Sequence, residues 1–448
     1  MNQLKDLMAE IGVELPAYHE QPKAKDGCNF TDWSGGEKPK PLATNTNLSD
    51  LLAHCGMGLR VNLMNLALEV VDGNGALIGA DWNVTRSDLV TAAVLNGLPK
   101  VAIDDHCANV AAKNAYHPVK QWLDGGKWDG VKRMGRVIDC IPSADPAFTR
   151  TVMTKWLVSC VAALYEQRFS TKLTPVLKGD QSFKKTAFVS RLASVIEGAF
   201  LEGLSLDPTS KDSVSATIKS WVCELGEIGQ TTRKGNDALK AFLTMSQDKI
   251  RLPYDRAETI KRRQTCFVGT VNDDHFLRDE SGSTRFAVVE MTAPVQLDAV
   301  NELLGWSWSG GRLRHDKPEL LRQFWLEVKS LYDAGTGWAL TEQEQERACA
   351  VNDAFAEKSA QYQCLVEEHI AKPHYGKRWV AASDVVNLRG EKSSMVRVWG
   401  KALALLAKEG VIDRREGRGR RVEYLLPMPK QSGIELGKVR ISGKILLG

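Results

Sequence analysis

The sequence predicts an α/β protein: a mostly parallel sheet covered by helices in its middle, a small mixed α/β or helical domain before it, and a basic helix-and-hairpin module after it. Two patterns carry this expectation. Over residues 171–292, short apolar runs that read as strands (TPVLKG, SWVCELGEI, QTCFVGTVN) alternate with helical stretches, as βαβ units do. Beyond residue 361, helical SSMVRVWGKALALLAKEG is followed by VIDRREGRGRRVEYLLP, which alternates around a Gly-Arg-Gly tip as the strands of a hairpin do. Helices leading into a basic hairpin suggest a winged-helix-like module over 361–430.

The chain has 448 residues, and roughly 150 residues per domain suggests about three domains. Residues 18–46 (HEQPKAKDG, GGEKPKPLATNT) are rich in Pro, Gly and Lys with little apolar periodicity, so 1–46 are expected to be a flexible arm. From 47 to 150, LSDLLAHCG, SDLVTAAVLNGL and DDHCANVAAKNAY have helical spacing, and NLALEVVD reads as a strand entering the turn DGNG. In YHPVKQWLDGGKWDGVKRM, Trp122 and Trp128 are read as packing residues around a Gly-Gly break, and DPAFTRTVMTKWLVSCVAALYEQ as a helix. Residues 151–360 form the expected core and 431–448 a tail.

Composition narrows the function classes. Hydrophobic residues make up 43% and charged residues 25%, enough to bury a core. No apolar run reaches the roughly 18 residues that span a bilayer, and MNQLKDLMAE lacks a signal-peptide core, so a cytoplasmic protein without membrane partners is expected. The nine cysteines form no C-x-x-C pair, which argues against structural zinc. The net charge of +4 is mild, but residues 411–448 hold nine Lys/Arg against four Asp/Glu.

The chemistry-bearing stretch is LKGDQSFKKTAFVSRLASVI. The phosphate-loop pattern G-x-x-x-x-G-K-[ST] is met by Gly179, Asp180, Gln181, Ser182, Phe183, Lys184, Lys185 and Thr186, with Lys184 where the second glycine belongs. Such a loop needs backbone N–H groups on phosphate oxygens, a lysine for the terminal phosphates and a hydroxyl for magnesium. The residue before the lysine is expected near helical geometry, which tolerates a side chain. On this stretch alone, a strand-turn-helix with two surface lysines is an equal reading.

The remaining parts follow in order. WVCELGEIG puts Glu224 and Glu227 at the end of an apolar strand, one for the magnesium shell and one to orient water. Both face one site only if the strand ends near Leu225 and Gly226. TCFVGTVNDD ends in Asn272, an amide able to sense a γ-phosphate, and FLRDESGSTRF supplies Arg278 and Arg285 as candidates to neutralise a transferring phosphoryl group across a subunit interface.

With HPVKQWLDGGKWDGVKRM, the loop at 179–186, WVCELGEI, LKAFLTMSQDKIRLPYDR, FVGTVNDDHFLRDESGSTRF and FWLEVKSLYDAGTGWALTEQEQ, the chain resembles the virulence-associated protein E family of phages, prophages and phage satellites over about residues 47–355. That family's core looks like a superfamily 3 helicase, an AAA+-like P-loop ATPase. The resemblance implies ATP and Mg2+ as cofactors, with Lys185 on phosphate, Thr186 and Glu224 on magnesium, Glu224 and Glu227 as the acids, Asn272 as sensor and Arg285 as arginine finger. It also implies a homo-oligomeric ring, a hexamer favoured. Lys240, Lys249, Arg251, Tyr254 and Arg256 fall where such helicases track single-stranded DNA, and alternating cations with an aromatic suit that task. The C-terminal module is similar to winged-helix domains. Met395 to Glu409 would be offered to a duplex groove, Arg414, Arg415, Arg418, Arg420 and Arg421 to phosphates, and Val398, Leu403, Leu405 and Leu406 to the core. The expected activity is ATP-driven DNA unwinding or translocation in replication. The alternative is a nucleotide-switched DNA-binding regulator or phage-defence ATPase with weak or absent hydrolysis.

Overall fold

The computed structural model describes residues 27–79, 81–226, 238–250, 258–273, 277, 284–355, 358–417 and 421–429. Among these, two compact units are distinguished, the first running to residue 354 and the second comprising Leu277 and the residues from 355 on. Among its described residues the first unit includes a large hydrophobic core and a separate N-terminal one. In its N-terminal part, strands β1 (Met57–Val61) and β2 (Leu68–Asp72) pair antiparallel with Leu59 opposite Val70. Both residues are buried with Leu48 and Leu51 of the helix Asn45–His54, Leu89 of Trp82–Leu95 and Ile103 of Val101–Ala112.

The expectation of a flexible arm does not hold for residues 27–46. Cys28 and Phe30 are buried in that core, and the fully buried Asn47 amide organises the segment. Its Oδ1 accepts from the N–H of Thr31 and Asp32, while its Nδ2 donates to the carbonyls of Asp32 and Leu42. A polar segment is held here by side-chain-to-backbone bonds, which leave no apolar periodicity to read.

The main sheet contains β3 (Thr174–Lys178), β4 (Phe200–Leu201), β5 (Val222–Leu225), β8 (Cys266–Val271) and β9 (Phe286–Glu290), all parallel, in the order β4-β5-β8-β3-β9. A short antiparallel hairpin, β6 (Gln247–Ile250) and β7 (Thr259–Arg262), precedes β8. Every residue of β5 and β8 is buried, as expected for a parallel sheet covered on both faces. The helices Pro146–Tyr165 and Pro318–Asp333 supply much of that cover.

Three fully buried tryptophans lock these layers by their indole N–H groups: Trp156 to the Phe267 carbonyl, Trp221 to Cys160 and Trp325 to Leu192, each at 2.8 Å. Trp122 and Trp128 are partly buried against the same core. A Cβ on Gly125 or Gly126 would stand 2.7 Å from the Arg322 guanidinium, so a larger residue at either position would displace that side chain. The segment after this Gly-Gly break is pinned by the buried Glu327 carboxylate, which accepts from the N–H groups of Arg133 and Met134. A second hairpin, β10 (Trp306–Ser309) and β11 (Arg312–His315), follows the helix Leu297–Leu304.

In the second unit, the helix Ala360–Leu365 is followed by β12 (His374–Val380), the helices Ala382–Leu388 and Val396–Lys408, and the hairpin β13 (Asp413–Glu416) and β14 (Val422–Pro429). The three strands form an antiparallel sheet in the order β12-β14-β13. Leu403 and Leu406 are fully buried and Trp399 nearly so, while Val398 and Leu405 are only half-buried. The buried stripe therefore runs through Trp399, Ala402, Leu403 and Leu406, a spacing of three and four.

Candidate nucleotide site

Strand β3 ends in Lys178, and the chain turns at Gly179, where a Cβ would lie 2.6 Å from Phe183 Cδ2. Glycine is required there by packing. The loop then passes through Ser182 (φ 71°) and Lys184 (φ 60°, ψ 28°) before the helix Lys185–Ala193 begins. The expectation of near-helical geometry at Lys184 is thus corrected. It adopts the left-handed conformation that favours glycine, at a cost of about 1 kcal/mol. The helix carries no side-chain N-cap, and the N–H groups of its first turn have no intrahelical acceptor. They border a cavity of about 370 Å³ lined by Ser182, Phe183, Lys184, Lys185 and Thr186 on one side, with Glu202, Gly203, Glu224, Gly226, Thr270 and Asn272 completing it.

Lys185 is buried and its ammonium donates to the carbonyls of Gly179 (2.6 Å) and Asp180 (3.0 Å) and to Asn272 Oδ1 (2.7 Å). Burial lowers its pKa, while Asp180 and Glu224 act in the opposite direction. Thr186 Oγ1 donates to Glu224 Oε1 at 2.5 Å, and Glu224 is fully buried. The same carboxylate accepts from Thr270 Oγ1 at 2.8 Å and from the Gly203 N–H at 3.2 Å.

These contacts follow from the strand order. With β8 between β3 and β5, Asn272 just past the end of β8 stands between the loop and the acid. Strand β5 does end at Leu225, with Gly226 in the following turn. A Cβ on Gly226 would stand 3.0 Å from the Gly203 Cα, so the two backbones meet under the carboxylate. Thr270, Gly203 and Glu202 are absent from the sequence-based set. Thr270 was within reach of it, because it shares a strand face with Asn272 two residues on.

The other candidates are distributed as follows. Glu227, Arg251, Tyr254, Arg256, Arg278, Arg418 and Arg420 lie outside the described residues. Asp180 and Gln181 are exposed in the loop. Lys240 lies in the helix formed by residues 238–243, and Lys249 is exposed on β6. Arg285 directly precedes β9, at the edge of the sheet opposite its own loop, and among the described residues its buried Nε has no hydrogen-bond partner. Arg414 and Arg421 are exposed, but Arg415 is engaged, bonded to Glu423 at 2.7 Å with its guanidinium 4.1 Å from the Trp379 ring centroid. Two cations rather than three are thus uncommitted among the described arginines of this hairpin.

A hydroxyl and one carboxylate are hard oxygen donors in the number that magnesium takes from a protein when phosphates supply the rest. Thr186 and Glu224 fit that role, and Lys185 beside the uncapped helix start fits a polyphosphate. Among the described residues no helix is long and apolar enough to cross a membrane.

Among solved structures, the chain is similar to the apo C-terminal region of NrS-1, with 10% identity and a TM-score of 0.44, covering 85% of this chain and 98% of that one. An A form of the same region gives 11% identity, a TM-score of 0.43 and the same coverage. Comparison with curated protein sequences gives no match. The family model of the virulence-associated protein E-like domain matches residues 123–357, just over half of the 448 residues. The matched span contains the loop, Glu224, Asn272 and the Gly-Gly segment against Arg322, and the chain belongs to the virulence-associated protein E-like family.

Proposed function

We propose that the protein is an ATP-dependent DNA helicase or translocase of superfamily 3 type, working as a ring of identical subunits in the cytoplasm of a bacterial host. Its task is replication of a phage, prophage or phage satellite, the setting that the family resemblance implies. The observation that carries the reading is the convergence of Lys185, Asn272, Thr186 and Glu224 on one cavity at the C-terminal edge of a parallel sheet.

ATP with magnesium, when bound, supplies a phosphoryl group whose transfer to water releases the free energy for movement. Lys185 and the N–H groups of the first helical turn hold the phosphates, and Thr186 and Glu224 hold the metal. Glu227 orients water, Asn272 reports the state of the phosphate end to β8, and Arg285 serves the neighbouring subunit. Lys240, Lys249, Arg251, Tyr254 and Arg256 follow single-stranded DNA. The helix-strand-helix-helix-strand-strand order of the second unit supports a winged-helix reading, with Arg414, Arg418, Arg420 and Arg421 on duplex phosphates.

A second reading, a nucleotide-binding switch without rapid turnover, is favoured by one observation: the left-handed Lys184 in the loop. Steady-state ATP hydrolysis with and without single-stranded DNA separates the two. DNA-stimulated turnover abolished by Lys185→Ala is expected of the motor. Tight nucleotide binding with no turnover under either condition would leave the switch.

A further inference from the structure

The hairpin β10–β11, WSWSGGRLRH, has no part in the site described above. Its cross-strand pairs are Trp306 with His315, Ser307 with Arg314, Trp308 with Leu313 and Ser309 with Arg312. Alternation therefore gives the ribbon one face of Trp306, Trp308, Leu313 and His315 and another of two serines and two arginines.

The root is rigid. Trp306 stacks on His315 with centroids 3.8 Å apart at 9°, and its indole N–H donates to the Arg191 carbonyl at 3.0 Å. Arg191 belongs to the helix that starts at Lys185, and its own Nε donates to Asn301. Gly305 (φ 80°) closes the base, because a Cβ there would stand 2.1 Å from the Lys317 carbonyl oxygen. At the other end Gly310 (φ 59°) and Gly311 (φ 76°) form the two-residue turn such ribbons require.

The tip is built differently from the root. Trp308 is 63% exposed, so folding leaves its aromatic face uncovered. Arg312 and Arg314 are exposed, and among the described residues neither is paired with a carboxylate. Two residues of extended chain separate them by about 6.8 Å, a spacing close to that of successive phosphates on an extended strand. A stiff ribbon offering one aromatic plane and two unneutralised guanidiniums suits a polyanion that carries unpaired aromatic bases.

We propose that β10–β11 is a binding element for single-stranded nucleic acid whose chain crosses the edge of the ribbon, with a base stacked on Trp308 on one face and phosphates further along the strand on Arg312 and Arg314 of the other. Stacking on an indole and cations along a backbone are the two sequence-tolerant contacts such ligands use. Because the ribbon is rooted on the loop helix through Trp306 and Arg191, the bound strand sits on an element continuous with the nucleotide site. The inference rests on the reading of the chain as a DNA-acting protein.

The test uses the full chain, 5′-fluorescein-labelled dT30 and fluorescence anisotropy, with Trp308→Ala, Trp308→Phe and the double variant Arg312→Ala/Arg314→Ala. The proposal expects dT30 affinity to fall roughly ten-fold in Trp308→Ala and to be largely retained in Trp308→Phe. The arginine variant should show a shallower salt dependence, and sedimentation velocity an unchanged oligomeric state. Unchanged dT30 affinity in all variants overturns it. So does a change confined to the oligomeric state, which would make the ribbon a subunit contact, or a loss larger for a 30-base-pair duplex than for dT30. If the native protein fails to bind dT30 at all, the DNA-acting reading falls with it, whereas native binding that the variants leave intact removes only the ribbon.

Discussion

Thr186 Oγ1 lies 2.5 Å from Glu224 Oε1, joining the first turn of the loop helix to the end of a strand 38 residues further on. The carboxylate is fully buried and also receives Thr270 and Gly203. Removing it strands three donors, whereas an amide at the same place keeps one acceptor oxygen. Glu224→Ala is therefore expected to lose about 2 kcal/mol of stability in urea denaturation, and Glu224→Gln less than about half of that. Magnesium-dependent ATP turnover should disappear in both. A Glu224→Gln protein that hydrolyses at the native rate would remove this residue from the metal shell.

Lys184 sits at φ 60°, where glycine is at ease and a Cβ is crowded by the following carbonyl. Replacing it with glycine should raise stability by up to about 1 kcal/mol, partly offset by the greater freedom of the unfolded chain. Lys184→Ala should bring no gain, and Lys184→Val should be the worst of the three, since a β-branched side chain tolerates this region least. Denaturation midpoints of the three variants rank these costs directly.

Much of the site was legible because its main residues stand at the ends of apolar runs: Gly179 one residue after PVL, Glu224 after WVC, Asn272 after FVGTV. A strand buried on both faces announces itself by apolar continuity, and the polar residue that ends it marks the sheet's edge. What was not legible is non-local. The insertion of β8 between β3 and β5, which brings Asn272 to Lys185, is decided by pairing between strands nearly a hundred residues apart. Strand β9 is not announced by the sequence because FAVVE is short, nor β12 because HYGKRWV alternates weakly. The fit of Gly179 under Phe183 and the left-handed Lys184 depend on backbone angles that residue types alone do not announce. The burial of Cys28 and Phe30 was hidden by the polar residues around them.

His117 is buried, and its pKa is pushed down to about 3, first by burial and then by Lys261, Arg262 and Lys120. Its unfolded value is near 6.5, so between those limits the unfolded chain binds the extra proton. Stability is therefore full above about pH 6.5 and falls as the solution is acidified toward 3. The loss by about pH 4.5 is of the order of 3 kcal/mol. His117→Asn keeps an N-cap for the helix Pro118–Asp124 and removes the titration. Hydrogen-exchange protection in that helix, corrected for the intrinsic pH dependence of amide exchange, should fall on acidification in the native protein and hold nearly level in the variant. Parallel acid profiles would mean that the imidazole stays neutral for another reason.

Arg285 precedes β9, and the register of β9 on β3 pairs Phe286 with Thr174 and Glu290 with Lys178. The arginine therefore lies one residue before Thr174 in register, six rises of the strand from Gly179, or roughly 20 Å at 3.3 Å per residue. No arginine side chain spans that distance, so within one chain Arg285 does not reach the phosphate loop. If it neutralises a phosphoryl group, it does so in another copy, and the two lesions Lys185→Ala and Arg285→Ala damage different sites. Each variant alone should lose turnover, by about a hundred-fold or more for the arginine. Mixed in equal amounts, they form interfaces in which an intact loop faces an intact arginine. At those interfaces activity should return to a fraction of the native rate that grows with subunit exchange. A mixture as inactive as its components, with exchange verified by differently labelled subunits, would show that Arg285 serves the fold of β9 and not a neighbour's nucleotide.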